Sequence, residues 1–320
     1  MKILYIYKDY MKRRKSYGKM MTQCGHDVVY LEVKKKKLID QIALKIIDKH
    51  KPDIIWFQNV SYVKNNTSFV EYAKHKNIPI VIYFTFVPQE RYDSKEWMGV
   101  WKKIDYLFIH SKHFHNFLKE NGLNSYYMPL GFYPDQYYKI NNKKKYDVSF
   151  CGMPLVREDK DHDKRAIYIR SLKKHKIAVY GDGFNGKVGN IPVYKYKTHE
   201  VQNQVYSKTI ISLDLPFFST PDPFYMKEHR QYHVKNRFFE IPASGNFLLT
   251  VRCPEFLEIF GEDTVGYYDD SIESLRESVA RYLKDKDLRN KMIKKAYKLV
   301  SDKHTYLHRF KDMFKIILQD

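Results

Sequence analysis

Short apolar runs alternate with stretches of helical period from one end of this chain to the other, and that alternation constrains its fold more than any other feature. It is the pattern of α/β architecture with largely parallel sheets. The first set of expected strands is Lys2 to Tyr7, Asp27 to Val33, Asp53 to Asn59, Ile78 to Phe84, Tyr106 to His110 and Tyr126 to Leu130. Leu38 to His50, Ser68 to Lys76 and Lys112 to Asn121 read as helices between them. A second set follows, at Asp147 to Cys151, Ile177 to Tyr180, Ile210 to Asp214, Phe247 to Val251 and Val265 to Tyr268. Its helices are Lys164 to Lys174, Thr198 to Ser207 and Pro254 to Phe260.

Polar, patternless Asn141 to Lys145 separates the two sets and reads as a linker. The expected organisation is therefore two doubly wound Rossmann-like domains, 1–140 and 146–300, facing a cleft, with a C-terminal helix at 301–320. In such domains strand C-terminal ends and helix N-termini converge on the ligand. In the tail, Asp270 and Glu273 suit a capping box. Ile272, Leu275, Val279 and Leu283 trace one apolar face, and Tyr306, Phe310, Met313, Phe314 and Ile317 trace another. A length of 320 residues accommodates two domains with real cores. With 43% hydrophobic and 16% aromatic residues, the chain is too apolar to be disordered although 29% is charged.

The opening strand is followed by Lys8 and Lys12 to Lys15 rather than by a signal-peptide apolar run, and no segment reaches the roughly 18 apolar residues of a spanning helix. A cytoplasmic location is expected. Cys24, Cys151 and Cys253 have neither metal-site spacing nor an even count, and read as buried free thiols. The formal net charge of +20 attracts polyanions such as nucleic acid. Lysine-rich composition alongside many Asn, Ile and Tyr also arises in an AT-rich genome without selection for binding, and both explanations stay open.

The densest local signal is Asn236 to Thr250. Arg237 and Glu240 stand three apart and share a helix face, Ala243 to Gly245 keep that helix thin and end it, and Phe247 to Leu249 form a strand. A glutamate so placed can accept from both hydroxyls of a ribose. This segment, with Asp147 to Gly152, Val179 to Gly183, Pro254-Glu255 and His304 to Arg309 in matching order, resembles the CgeB-like, spore-maturation-type glycosyltransferases. These are relatives of the group 1 sugar transferases with the GT-B fold. The resemblance covers the C-terminal half well, and the N-terminal half in layout, best at Met128 to Phe132.

The resemblance implies a metal-independent glycosyltransferase that uses a nucleotide-sugar as co-substrate, with no cofactor, and whose last helix crosses back to the first domain. Glu240 would bind the donor ribose, Arg237 the phosphates or their loop, and the Gly181 turn would approach the base. Gly152, Arg157, Arg165, Gly183 and Lys235 complete the expected donor site, since backbone amides and cationic side chains can hold a diphosphate without metal. Group 1 relatives carry a second glutamate eight positions before the ribose-binding one, and Tyr232 stands there, with Glu228 as its nearest substitute. His229 and His233, and the Asp159, Asp161 and Asp163 run, have metal-like spacing but read better as a polar loop and a solvated one.

On the acceptor side, Glu90 and Asp93 follow an apolar strand and His110 ends another, so each is a candidate base or orienting group. His110 and Ser111 equally suit a satisfied helix-capping pair. Lys12, Arg13, Arg14 and Lys15, with Lys34 to Lys37, form either a basic rim for a polyanionic acceptor or plain solvated charge. The acceptor expected from this rim is a hydroxymethylated DNA base, flipped from its stack, or an anionic surface glycan. Two alternatives to the transferase stand beside it, a non-catalytic nucleotide-sugar-binding protein and a nucleic-acid-binding module.

Overall fold

In the computed structural model, which describes residues 1–7, 15–33, 40–85, 95–153, 163–195, 198–215 and 234–319, the apolar runs form two sheets in two compact units. Unit 1 comprises Met1–Leu130 and Tyr306–Asp320, and unit 2 comprises Gly131–Thr305.

The described strands of unit 1 are β1 (Lys2–Tyr7), β2 (Asp27–Glu32), β3 (Ile54–Phe57), β4 (Ile80–Phe84), β5 (Tyr106–Ile109) and β6 (Ser125–Tyr127). They pair in parallel in the order β2-β1-β3-β4-β5-β6, so the winding reverses beside β1. β3 and β4 are buried along their whole length because helices cover both faces of the sheet, and that is why they read as unbroken Ile, Val and aromatic runs. The covering helices are α1 (Lys15–Gln23), α2 (Asp40–His50), α3 (Val60–Asn65), α4 (Thr67–His75), α5 (Lys95–Trp101) and α6 (Lys112–Glu120). The chain's final helix, Tyr306–Gln319, joins this unit. Phe310 lies 5.3 Å from both Tyr17 and Trp56 between ring centres, and Arg309 Nε donates to Leu130 O at 3.1 Å. Such aromatic contacts add to an already large burial of apolar area.

Unit 2 runs β7 (Tyr146–Cys151), α7 (Lys164–Ser171), β8 (Ile177–Tyr180), β9 (Lys187–Val188), β10 (Ile191–Tyr194), α8 (His199–Ser207) and β11 (Thr209–Leu213). It continues with α9 (Arg237–Ala243), β12 (Phe247–Val251), α10 (Pro254–Phe260), β13 (Gly266–Tyr268), α11 (Ile272–Lys284) and α12 (Lys286–Lys303). The sheet order is β13-β12-β11-β7-β8-β10-β9, parallel except for the short β9–β10 hairpin. Leaving β9 aside, this is the doubly wound order in which three strands run outward one way from β7 and three the other from β11. β7 and β11 are neighbours, so the winding reverses between them. The segments entering and leaving the unit lie side by side, with Phe132 bridged to Thr305.

Several local expectations are corrected. Helices α1, α3 and α5 and the β9–β10 hairpin lie in stretches where the sequence suggested no element, whereas α12 falls within the tail expected to be helical. The cap of α11 is Ser271, whose side chain accepts from Ser274 N, rather than Asp270. Asp270 instead accepts from Lys164 Nζ at 2.6 Å and from the Tyr168 hydroxyl at 2.7 Å. Asp163 is no solvated loop residue. It is buried and caps α7 by accepting from Ala166 N. All three cysteines are free thiols, Cys151 and Cys253 buried and Cys24 half-buried.

Candidate functional site

The winding reversal of unit 2 leaves the chain ends of β7 and β11 side by side, and the residues that follow them form the site. After β7 come Gly152 and Met153, and after β11 come Asp214 and Leu215. Gly152 N donates to Tyr180 O at 2.8 Å and Gly181 N to Tyr194 O at 2.8 Å, which draws the ends of β8 and β10 into the same edge. The backbones approach so closely that a Cβ on Gly181 would stand 1.7 Å from Gly152 O. No side chain fits there, which is the physical reason for the glycine.

Asp214 is the hub, with 1% of its side chain exposed. Lys235 Nζ reaches both of its carboxylate oxygens, at 3.1 and 3.2 Å, and donates also to Leu215 O at 3.0 Å. Arg237 Nε lies 3.3 Å from Asp214 Oδ1. Arg165, the second residue of α7, donates from Nη1 to Met153 O at 2.6 Å. The Phe150 ring lies under both guanidinium groups, 5.2 Å from that of Arg237 and 5.7 Å from that of Arg165. Three cationic side chains thus gather at one strand edge.

Their electrostatics show crowding. Burial pushes the Lys235 ammonium down to about 7; Asp214 raises it, while Arg165 and Arg237 lower it further. Arg165 is pushed down to about 9, first by burial and then by Arg237, against the pull of Asp214 and Asp163. Like charges that lower one another's affinity for protons are stabilised by an incoming anion. The backbone carbonyls of Met153 and Leu215 supply partial negative charge but no full one.

Glu240 stands one turn along α9 from Arg237 and is 6% exposed. Both residues act on the Cys151 thiol at the end of β7, Arg237 lowering its pKa and Glu240 raising it. Burial dominates and drives the thiol up to about 12, so it stays protonated. Gln202 of α8 donates from Nε2 to Glu240 Oε2 at 3.5 Å and to the Tyr206 hydroxyl at 2.6 Å. Behind α9, Gly245 ends the helix with φ +69°. Gly245 N donates to Pro242 O and Asn246 N to Ile241 O, closing a Schellman cap.

The structure brings Gly152, Arg165, Gly181, Lys235, Arg237 and Glu240 of the expected donor residues to this edge. Gly183, with φ +96°, lies in the turn beyond it. Arg157, Glu90, Asp93, Lys12, Arg13 and Arg14, with Tyr232, Glu228, His229 and His233, lie outside the described residues, and Lys15 opens α1. His110 directly follows β5 at 2% exposure. Its Nδ1 lies 3.1 Å from Phe84 O, and burial holds the imidazole down to about 4, so it is neutral at physiological pH. Ser111 caps α6 by accepting from Phe114 N. Among the described residues no cluster of His, Cys, Asp and Glu is arranged to hold a metal, and no helix is long and apolar enough to cross a membrane.

Asp214, Gln202, Tyr206 and Phe150 were not singled out from the sequence. Asp214 carried a faint signal, as a lone carboxylate closing the apolar run Ile210 to Leu213. Phe150 lies within the Asp147 to Gly152 motif without being picked out for itself, and Gln202 and Tyr206 carry no signal, because sheet order and not spacing brings them to Glu240 and Arg237.

Residues 157–315 match the family described as "Glycosyl transferase-like", and residues 7–132 match "Glucosyltransferase 3-like, N-terminal domain". No curated protein matches the sequence. A glycosyltransferase from Rickettsia africae superposes with a TM-score of 0.70 at 12% identity, covering 98% of this chain and 97% of its own. A sucrose-phosphate synthase from Thermosynechococcus elongatus gives 0.71 at 10%, covering 100% and 98%. The HepE protein of Anabaena, solved with UDP-glucose, gives 0.64 at 10%, covering 100% of both chains. Likeness over the whole chain shows the GT-B fold that the sequence resemblance implied.

Proposed function

We propose that this glycosyltransferase of GT-B type moves a sugar from a nucleotide-sugar donor to an acceptor hydroxyl, without a metal ion, and that unit 2 binds the donor. One observation carries the reading: Arg165, Lys235 and Arg237 meet at the winding reversal between β7 and β11, beside Glu240. Ligands of doubly wound sheets lie at that position. A diphosphate there accepts hydrogen bonds from the three cations and relieves their mutual repulsion, while the Glu240 carboxylate accepts from the ribose hydroxyls. The UDP-glucose complex of the Anabaena neighbour supports a donor of this class. The CgeB-like signature at 236–250 supports the finer subtype.

In the transfer, the acceptor oxygen bonds to the anomeric carbon as the bond from that carbon to the diphosphate oxygen breaks. The electron pair leaves on the diphosphate, and charge grows where the three cations stand, so they stabilise the transition state more than the ground state. The hydroxyl proton goes to a base, which we assign to Glu90 or Asp93, with neutral His110 in a supporting role. For the acceptor, the charge of +20 and the Lys12 to Lys15 cluster favour a polyanion, a hydroxymethylated DNA base or an anionic surface glycan. The reading places the reaction in the cytoplasm.

Thermal-shift measurements against a panel of nucleotide sugars test the donor reading, since a ligand of the native state raises apparent stability by mass action. At least one should raise the melting temperature, and Arg237→Ala or Glu240→Ala should weaken it by roughly 10- to 100-fold, the scale of a lost charge-assisted hydrogen bond. No response to any nucleotide sugar would overturn it. Tyr232 at the position of the second glutamate favours a second reading, a nucleotide-sugar-binding protein without turnover. Tight donor binding with no diphosphate release under any acceptor would select that one. A bare nucleic-acid-binding module is the third, marked by steeply salt-dependent DNA affinity that Glu240→Ala leaves unchanged.

A further inference from the structure

We propose that Gln202 is a positioning residue for Glu240, and that Tyr137 and His199 fix its orientation. The proposal rests on the assignment of Glu240 to the donor ribose and adds to it a chain of side chains that no motif announces. Helix α8 presents His199, Gln202 and Tyr206 at i, i+3 and i+7, one face turned toward Tyr137 and α9. The Tyr137 hydroxyl donates to Gln202 Oε1 at 2.8 Å and lies 2.6 Å from His199 Nδ1. Gln202 Nε2 donates to the Tyr206 hydroxyl at 2.6 Å and to Glu240 Oε2 at 3.5 Å, the long end of hydrogen-bond range. Tyr137, Gln202, Tyr206 and Glu240 are all buried.

Hydrogen counting gives this chain a direction. The amide nitrogen of Gln202 has two protons and two acceptors, the Tyr206 oxygen and the Glu240 carboxylate. Its oxygen takes the one proton of Tyr137, so the His199 nitrogen facing Tyr137 carries an N–H. Flipping the amide would set Oε1 against the Glu240 carboxylate and put a second donor-poor oxygen beside a buried charge. With its proton on Gln202 Oε1, Tyr137 reinforces the amide orientation that turns an N–H toward the Glu240 carboxylate, and that N–H helps to hold the carboxylate for a diol. A side chain that must meet two vicinal hydroxyls at once gains from being held before they arrive.

The test compares ribonucleotides with their 2′-deoxy forms, because only the ribose contact should depend on this chain. UDP, ADP and GDP, each against its 2′-deoxy counterpart, are titrated calorimetrically into the full chain and into Gln202→Leu, Tyr137→Phe and Glu240→Ala, with melting curves confirming the fold. Tyr137→Phe removes a single oxygen and serves if Gln202→Leu fails to fold. The wild type should prefer at least one ribonucleotide. Gln202→Leu and Tyr137→Phe should shrink that preference by roughly tenfold, while 2′-deoxy affinity changes little. Variants that retain the full wild-type preference, where Glu240→Ala loses it, would overturn the positioning role and leave the donor reading standing. A wild type with no ribose preference for any of the three would overturn both.

Discussion

At the scale of single residues, Lys235 ties donor binding to pH. Its ammonium ion titrates near 7 in the free protein, because burial and two neighbouring arginines outweigh Asp214. A diphosphate beside it adds negative charge and raises that value, so the bound pKa exceeds the free one. Below pH 7 the lysine is already charged and affinity is flat. As pH rises above 7, binding must recruit a proton, and affinity falls by up to about tenfold per pH unit until the bound-state pKa is reached. A nucleotide sugar is the right probe, since its phosphates do not titrate in this window. Calorimetry between pH 6 and 8, below the range in which Arg165 titrates, should show the fall in the wild type and a flat, weaker profile in Lys235→Met. The same lysine should affect the unliganded fold with opposite consequence. Its folded pKa lies below the unfolded 10.5, so the unfolded chain binds more protons between the two, and its contribution makes stability rise with pH across that interval.

At the scale of elements, Gly245 shows how the short helix bearing Arg237 and Glu240 is held in place. Its φ of +69° closes the α9 cap, and a Cβ there would stand 2.7 Å from Lys139 Cγ. Gly245→Ala should cost about 1–2 kcal/mol, from the left-handed backbone and the displaced lysine stem. For a unit of this size that lowers the melting temperature by several degrees, readable by calorimetry. This helix was legible in the sequence because its cap, its Arg–Glu spacing and the strand after it are all local. The parallel strands were legible for a related reason: sheets covered on both faces demand continuous apolar runs, and β1, β8 and β12 begin and end where those runs do. The β9–β10 hairpin was not, since its residues are mostly exposed or half exposed and β9 spans only two residues between Gly186 and Gly189. Helix α12 was legible as part of a helical tail but not as an element of its own, because Lys286, Asp287, Arg289, Lys291, Lys294, Lys295 and Lys298 dilute the apolar stripe of Met292, Ala296 and Val300. The Asp214 hub and the Gln202 chain were illegible for a deeper reason. Their members come from β11, α8, α9 and the segment before β7, and only the order of strands in the sheet makes them neighbours.

At the scale of the whole molecule, the division into two units separates two kinds of damage. The final helix belongs to unit 1 by contact, although it follows unit 2 in sequence. It buries Tyr306, Phe310, Met313, Phe314 and Ile317. At about 1.5–3 kcal/mol for each fully buried large side chain, its removal takes away an amount comparable to the entire 5–15 kcal/mol that stabilises an ordinary domain. It would also leave Trp56 and Tyr17 without the ring contacts that Phe310 provides. A chain ending at Thr305 should therefore lose the cooperative unfolding transition of unit 1 and tend to associate through the uncovered aromatic face. Every described residue assigned to the donor lies between Gly131 and Thr305, and so do Met153, Gln202 and Asp214, to which Arg165, Glu240 and Lys235 are hydrogen-bonded. The remaining transition should still move upward with a nucleotide sugar that stabilises the full chain, by a similar increment at equal concentration. Scanning calorimetry with and without that ligand checks both statements. Loss of the ligand-induced shift, with the unit 2 transition itself retained, would show that donor binding needs unit 1, contrary to a site built from unit 2 alone.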